Sequence, residues 1–171
     1  MKFLCRLDQG LNRLYEWAGY LAAGFLIALG ALIMTSIISR MASIYIPGVA
    51  EFSGYSMAAS SFFAMAYTFR EGGHIRVALL LSRLHGKARR AAELWCLGIG
   101  SLVSGYFAFY AIKMVHVSYR FEERSEGSDA ILLWIPQLGM AIGSSILALC
   151  LLHQFIRIAA GGEIPKTLAI E

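Results

Sequence analysis

The sequence predicts an all-α integral membrane protein with four transmembrane helices and one interfacial helix, and three observations support this. Of 171 residues, 58% are hydrophobic, and the mean hydropathy is +0.62. Charged residues make up only 15% of the chain, whereas soluble domains carry about 25%. Four stretches with few or no charges are each long enough to cross a bilayer. We therefore expect a single membrane domain over residues 1–171.

The first predicted transmembrane helix covers about residues 17–39, which contain no charged residue. At 1.5 Å per residue, this segment spans about 34 Å. The apolar core of a secretory signal peptide is shorter, about 7 to 15 residues, so the segment is predicted to be a retained helix. Residues 1–16 combine basic residues with leucines at helical spacing, which predicts a short amphipathic helix at the membrane surface.

The second predicted transmembrane helix covers about residues 51–70, beginning at Glu51. One of its faces is built from small residues, which are Ser53, Ser56, Ala59, Ser60 and Ala64. In a membrane, small residues allow the backbone of a neighbouring helix to approach closely. This face is therefore predicted to pack against another helix.

A charged block and a basic helix follow the second transmembrane helix. The block reads Arg70-Glu71-Gly72-Gly73-His74-Ile75-Arg76-Val77, and its paired glycines favour a turn at the membrane surface. Residues 75–90 are predicted to form the interfacial helix, because four basic residues fall on one side of a helical projection and apolar residues lie beside them. The basic side, which would face lipid phosphates, consists of Arg76, Arg83, Lys87 and Arg90.

The third and fourth transmembrane helices are predicted at about residues 94–117 and 130–156, the third being uncharged until Lys113. The fourth contains Gly139 and Gly143, spaced as in a helix-contact motif. The connection between the two helices is acidic, with Glu122, Glu123, Glu126 and Asp129.

The distribution of Lys and Arg predicts the orientation. Eleven of these residues fall in the N-terminal region, the connection between the second and third helices, and the C-terminal tail, against four on the other side. By the positive-inside rule, both termini and the basic helix are cytoplasmic. The acidic connection then faces outward.

The predicted helices lack the groups that membrane transporters and enzymes use for chemistry. An autonomous ion or proton transporter generally keeps an ionisable residue inside the membrane, and no charge lies deep within the four segments. The three cysteines share no metal-binding spacing, and His116 and His153 fall at opposite ends of their helices, too far apart to ligate one haem. No catalytic residue, cofactor site or metal site is predicted. A haem-bearing or redox-complex membrane anchor and a small autonomous transporter remain as alternatives.

The block from Arg70 to Val77, preceded by Glu51 and an apolar helix, resembles the small membrane subunit, or Q component, of tripartite ATP-independent periplasmic (TRAP) transporters. The resemblance extends along the whole chain in helix number, orientation and the basic cytoplasmic connection, and more loosely to Trp134-Ile135-Pro136 in the fourth helix. The chain departs from the family in having Ala78 where an acidic residue is common, and in having only Pro136 in its fourth helix.

The resemblance implies a non-enzymatic subunit of the bacterial inner membrane. A large multi-helix subunit would carry the sodium and substrate sites, a periplasmic binding protein would deliver an organic acid, and this chain would be a scaffold. No nucleic-acid partner is expected. The residues expected to contact the large subunit or lipid are Glu51, Arg70, Glu71, Gly72, Gly73, His74, Arg76, Arg83, Lys87 and Arg90. Those expected to help dock the binding protein are Glu122, Glu123, Glu126 and Asp129.

Overall fold

The computed structural model describes residues 2–70, 86–127 and 130–159, and this part of the chain is all-α, as predicted. Its four helices are α1 (Lys2–Met41), α2 (Val49–Arg70), α3 (Gly86–Arg120) and α4 (Trp134–Ala159). Three of them are long and apolar enough to cross a membrane, within Gly10–Met41, Ala88–Arg120 and Trp134–Ala159.

Helix α2 differs from the other three in composition. Its 22 residues would reach across a bilayer at about 1.5 Å each. It is not one of the three helices that are long and apolar enough to cross a membrane, and its apolar sequence is interrupted by Ser53, Ser56, Ser60 and Ser61. Its role as a fourth transmembrane segment stays a prediction.

The helix bounds differ from the predicted ones in three places. Helix α1 begins at Lys2, so the expected surface helix and the first transmembrane helix form one continuous element. Residues 86–90, assigned from sequence to the interfacial helix, form the start of α3, while residues 75–85 lie outside the described part. Helix α4 begins at Trp134 rather than near residue 130, because Leu132 is paired with Arg124 in an isolated bridge.

The helices pack in the order α1, α2, α4, α3, so that α2 and α4 are central and α1 and α3 flank them. Helices α2 and α4 run parallel, as shown by the successive contacts of Gly139 with Ala59 and of Gly143 with Phe62. Helix α3 runs antiparallel to α4, with Gly98 against Phe155 near one end.

The predicted glycine contact face on α4 is confirmed. A Cβ atom added at Gly143 would lie 2.7 Å from the carbonyl carbon of Phe62, and one at Gly139 would lie 3.1 Å from the Cβ of Ala59. Both separations are tighter than ordinary van der Waals contact. The two central helices therefore approach each other as closely as they do because these positions carry no side chain.

Helix α1 is fixed to α2 by small residues and a hydrogen bond. Ala18 and Ala22 of α1 form a buried cluster with Ala59 and Phe63 of α2. The Ser60 hydroxyl donates to the carbonyl of Ala22 at 3.0 Å. A second buried cluster joins three helices through Tyr15, Ala66 and Cys150.

Both helix hairpins turn through the same local structure. After α1, Ile44 N–H donates to Ser39 O at 2.9 Å and Ser43 N–H to Arg40 O at 3.1 Å, with Ser43 at φ 55°. This is the Schellman motif, in which the left-handed residue is usually glycine. The end of α3 repeats it with Glu122 at φ 49°. We call the end of the bundle with residues 42–48 and 121–133 the hairpin end, and the opposite end the terminal end.

Candidate partner-contact sites

The residues between α2 and α3 that are predicted to contact a partner or lipid are only partly described. Arg70 ends α2, and Lys87 lies in the first turn of α3. The remaining members, which lie outside the described residues, are Glu71, Gly72, Gly73, His74, Arg76 and Arg83.

Arg90 joins the start of α3 to the end of α4. Its Nη2 donates to the carbonyl of Ile158 at 2.9 Å, and Ile158 lies in the last turn of α4. Carbonyl groups in the last turn of a helix have no partner within the helix and attract cations. Arg90 therefore uses one of its hydrogen-bond donors within the chain. The side chain is exposed, so its other donors are available to lipid or a partner.

Glu93 is a buried carboxylate that the sequence pattern did not single out. It is 3% exposed, and its Oε1 accepts from Arg89 Nε at 3.2 Å. Among the described residues, no hydrogen-bond donor reaches its Oε2. The spacing of Arg89 and Glu93 is i, i+4, which predicts a side-chain contact when both residues lie in one helix. The sequence started the third helix after both residues, so this contact was not predicted.

The acidic connection at the hairpin end is ordered by hydrogen bonds. Ser118 Oγ donates to Glu123 Oε2 at 2.7 Å, and Tyr55 OH of α2 donates to Ser125 Oγ at 3.0 Å. Two backbone bonds, from Ser125 N to Ile131 O and from Leu133 N to Glu123 O, close the loop. The connection is thus attached to α2 and to the end of α3.

The four acidic residues predicted for docking fall into different environments. Glu122, Glu123 and Glu126 are all exposed, and Glu123 also accepts a hydrogen bond from Ser118. Asp129 lies outside the described residues. Three exposed carboxylates therefore lie on the described part of this ordered loop.

Glu51 lies in the first turn of α2, where a negative charge is favoured by the helix dipole. It lines a small cavity of about 180 Å³ beside the α1–α2 connection, together with Arg40, Tyr45 and Gly48. Glu51 thus lies at the hairpin end, away from the basic block.

The described histidines and acids do not form a metal cluster. Within residues 2–70, 86–127 and 130–159, no group of three or more His, Cys, Asp or Glu side chains has the geometry to hold a metal ion. His116 lies near the ring contact of Tyr119 with Trp134, at the hairpin end. His153 lies near the terminal end of α4.

Helix α3 carries polar side chains on the side facing away from α4. Tyr106 and Tyr110 are 64% and 48% exposed, and their ring centroids lie 4.6 Å apart. The Lys113 Nζ lies 5.8 Å from the centre of the Tyr110 ring. The sequence placed Lys113 at the end of an uncharged segment but did not indicate which way it faces.

Comparisons with known proteins identify relatives of this arrangement. Residues 29–161 match the family described as "Tripartite ATP-independent periplasmic transporters, DctQ component". The chain is also similar to a protein of Rhodobacter capsulatus named "C4-dicarboxylate TRAP transporter small permease protein DctQ", with 30% identity over 103 residues. That match covers 60% of this chain and 45% of the relative's length. No solved structure matches the chain.

Proposed function

The chain belongs to the DctQ family of TRAP transporter components, and we propose that it is the scaffold subunit of a sodium-coupled transporter that imports an organic acid. The family match carries this proposal, because it covers the second part of α1 and all of α2, α3 and α4. The family is one of transporters and not of enzymes. The relative's name refers to C4-dicarboxylates, which are one class of organic acid.

In this proposal, α2 is a fourth transmembrane segment, and the hairpin end faces the periplasm. The excess of Lys and Arg at the terminal end supports the cytoplasmic location of both termini. The large multi-helix subunit carries the ion and substrate sites. The small subunit supports it from one side within the bacterial inner membrane.

Co-purification tests this function. The chain is tagged in its native host and extracted in mild detergent, and the co-eluting proteins and the visible absorbance of the sample are recorded. We expect one large, very hydrophobic membrane protein in roughly equal amount and no haem absorbance. A haem band would favour the redox anchor, and a colourless self-oligomer would favour a small autonomous transporter.

The basic block is proposed to fasten the terminal end to the large subunit or to lipid phosphates. Support comes from the concentration of charge in the sequence that follows α2, and from the attachment of α3 to α4 through Arg90. Replacing both Arg70 and His74 by alanine should reduce co-purification of the large subunit. Unchanged assembly and transport would leave the block only the role of a membrane anchor.

The acidic loop is proposed to help dock the periplasmic binding protein. Charged residues at the edge of an interface act mainly on the association rate of the two proteins, and their effect is weakened by salt. The double variant Glu122→Gln/Glu126→Gln should therefore slow transport at low substrate concentration and low salt. Ser118→Ala is the control for loop structure, because it removes the hydrogen bond to Glu123 without changing the charge of the loop. Normal transport by the double variant under those conditions would contradict docking by this loop.

A further inference from the structure

The face of α3 that points away from α4 carries an unusual set of side chains. Ala108 and Ala111 are buried and mark the side turned to α4. At 100° per residue, the opposite side consists of Trp95, Ile99, Leu102, Tyr106, Tyr110 and Lys113. We call these six residues the outward face of α3. The five uncharged ones are 48% to 73% exposed, and Lys113 is exposed as well.

The depth of Lys113 follows from its register with α4. Ile112 and Val115 line one groove with Leu138 and Ala141 of α4, so Lys113 is level with this part of α4. Tyr119 contacts Trp134 at the hairpin end with ring centroids 5.6 Å apart, and such aromatic pairs are typical of the membrane interface. Lys113 lies six residues, or about 9 Å, further into the bundle. By this register, Lys113 lies inside the membrane-spanning part of α3, within Ala88–Arg120, and not at its end as expected from the sequence.

The Lys113 side chain points further into the membrane. Side chains of an α-helix tilt toward its N-terminus, which for α3 is the terminal end. The ammonium group accordingly lies over the ring of Tyr110, one turn in that direction, at 5.8 Å from the ring centre. A lysine that reaches for lipid phosphates extends toward the nearer interface. Lys113 is directed the opposite way.

Lys113 needs an opposite charge that the described part of the chain does not supply, whereas the Tyr106 and Tyr110 hydroxyls are hydrogen-bonded to each other. A charged group at this depth is costly unless it is paired. Within the described residues, no carboxylate forms a salt bridge with Lys113. The Tyr106 and Tyr110 rings extend the polar surface toward the middle of the bilayer. An opposite charge on a neighbouring protein would satisfy this surface.

We propose that the outward face of α3 binds a transmembrane helix of the large subunit that carries an aspartate or glutamate at the depth of Lys113. This inference rests on the proposed function, because it takes the large subunit as the partner. The acidic side chain pairs with the Lys113 ammonium, and the two tyrosine hydroxyls supply further hydrogen bonds. The aliphatic residues Ile99 and Leu102 pack against the same helix.

The first test identifies what covers this face in the assembled complex. A photoreactive p-benzoylphenylalanine is placed at Leu102, which is 73% exposed, and in a matched variant at Ile27 of α1, which is 75% exposed. After irradiation in membranes, the cross-linked peptides are identified by mass spectrometry. We expect position 102 to join a transmembrane segment of the large subunit that contains Asp or Glu. Cross-linking of position 102 only to lipid, or to a segment without a carboxylate, would overturn the proposal.

The second test exchanges the charges. Lys113→Glu should lower the yield of co-purified large subunit at least tenfold, and Lys113→Arg should retain it. Replacing the cross-linked acidic residue of the partner by lysine should restore assembly of the Lys113→Glu variant. If the large subunit co-purifies with the wild-type chain and in equal yield with the Lys113→Glu variant, the inference fails while the proposed function stands. If no large subunit co-purifies with the wild-type chain, the proposed function itself fails.

Discussion

The two flanking helices expose different chemistry at the same membrane depth. The outward face of α1, defined by Trp17, Tyr20, Ile27, Met34 and Ile38, is 60% to 75% exposed. Its two amphipathic rings lie toward the terminal end, and the middle of the face, around Ile27, is apolar. The outward face of α3 instead carries two tyrosines and Lys113 in the corresponding region.

This difference indicates how the two sides of a small membrane subunit can be assigned. Exposure alone does not distinguish them, because both faces are open in the isolated chain. Lipid tails solvate aliphatic side chains at no cost but leave an ammonium group, such as that of Lys113, without a partner. The α1 face is therefore suited to lipid, and the α3 face is suited to a protein. Each prediction below tests this contrast, in order of decreasing effect.

The largest effect is expected when a charge is introduced on the α1 face. Ile27→Lys should make membrane insertion of α1 less favourable by about 3 kcal/mol, because a lysine at the centre of a lipid-facing helix has no partner. The insertion efficiency of α1 in a glycosylation-mapping assay measures this cost. The reciprocal variant Lys113→Ile should make insertion of α3 more favourable. Normal insertion of Ile27→Lys would contradict the assignment of this face to lipid.

The central contact should carry the next largest effect, because both flanking helices depend on it. Gly143→Leu should destabilise the protein by about 2 kcal/mol, since the added side chain collides with the backbone of Phe62 and separates α2 from α4. Unfolding in detergent, followed by circular dichroism, measures the loss. Gly105→Leu on α3 is the matched control, because nothing lies within 4 Å of a Cβ at that position. Equal destabilisation by the two variants would contradict the close packing of α2 and α4.

A smaller effect concerns the attachment of α1 to α2. Ser60→Ala removes the hydrogen bond to the carbonyl of Ala22, and interhelical bonds of this kind contribute about 0.6 kcal/mol in membranes. The free energy of unfolding in detergent should therefore decrease by about this amount. Ser61→Ala is the control, because the Ser61 hydroxyl donates within its own helix, to Met57. A loss as large as that of Gly143→Leu would mean that α1 is held mainly by this bond.

The sequence predicts the helical class and the glycine contact of α4, because length, hydropathy and residue size are local properties. It does not predict that α1 continues back to Lys2, because the amphipathic pattern of residues 1–16 differs from the uncharged pattern of residues 17–39. The structure joins the two segments in one helix, consistent with the absence of proline between them. The burial of Glu93 depends on the close packing of α3 and α4 at their shared end. Such contacts between distant segments are not visible in the pattern of one helix.

The direction of each face is equally hidden in the sequence. In a soluble protein, an amphipathic period marks the buried side of a helix. In α3, both the side packed on α4 and the side exposed to the membrane are largely apolar. The alternation of apolar and polar residues along the helix is therefore weak. The position of Lys113 on the outward face becomes clear only when Ala108 and Ala111 are seen buried.

The most direct test of the contrast places the same bulky residue on each flanking helix. Leu102→Trp and Ile27→Trp change positions with nearly equal exposure, 73% and 75%, and co-purification of the large subunit is measured for both. We expect Leu102→Trp to reduce the co-purified large subunit severalfold, because it disturbs a protein contact, and Ile27→Trp to leave it unchanged, because lipid adapts to the larger ring. Loss of the large subunit from Ile27→Trp, with Leu102→Trp intact, would place the partner on α1 and contradict this account.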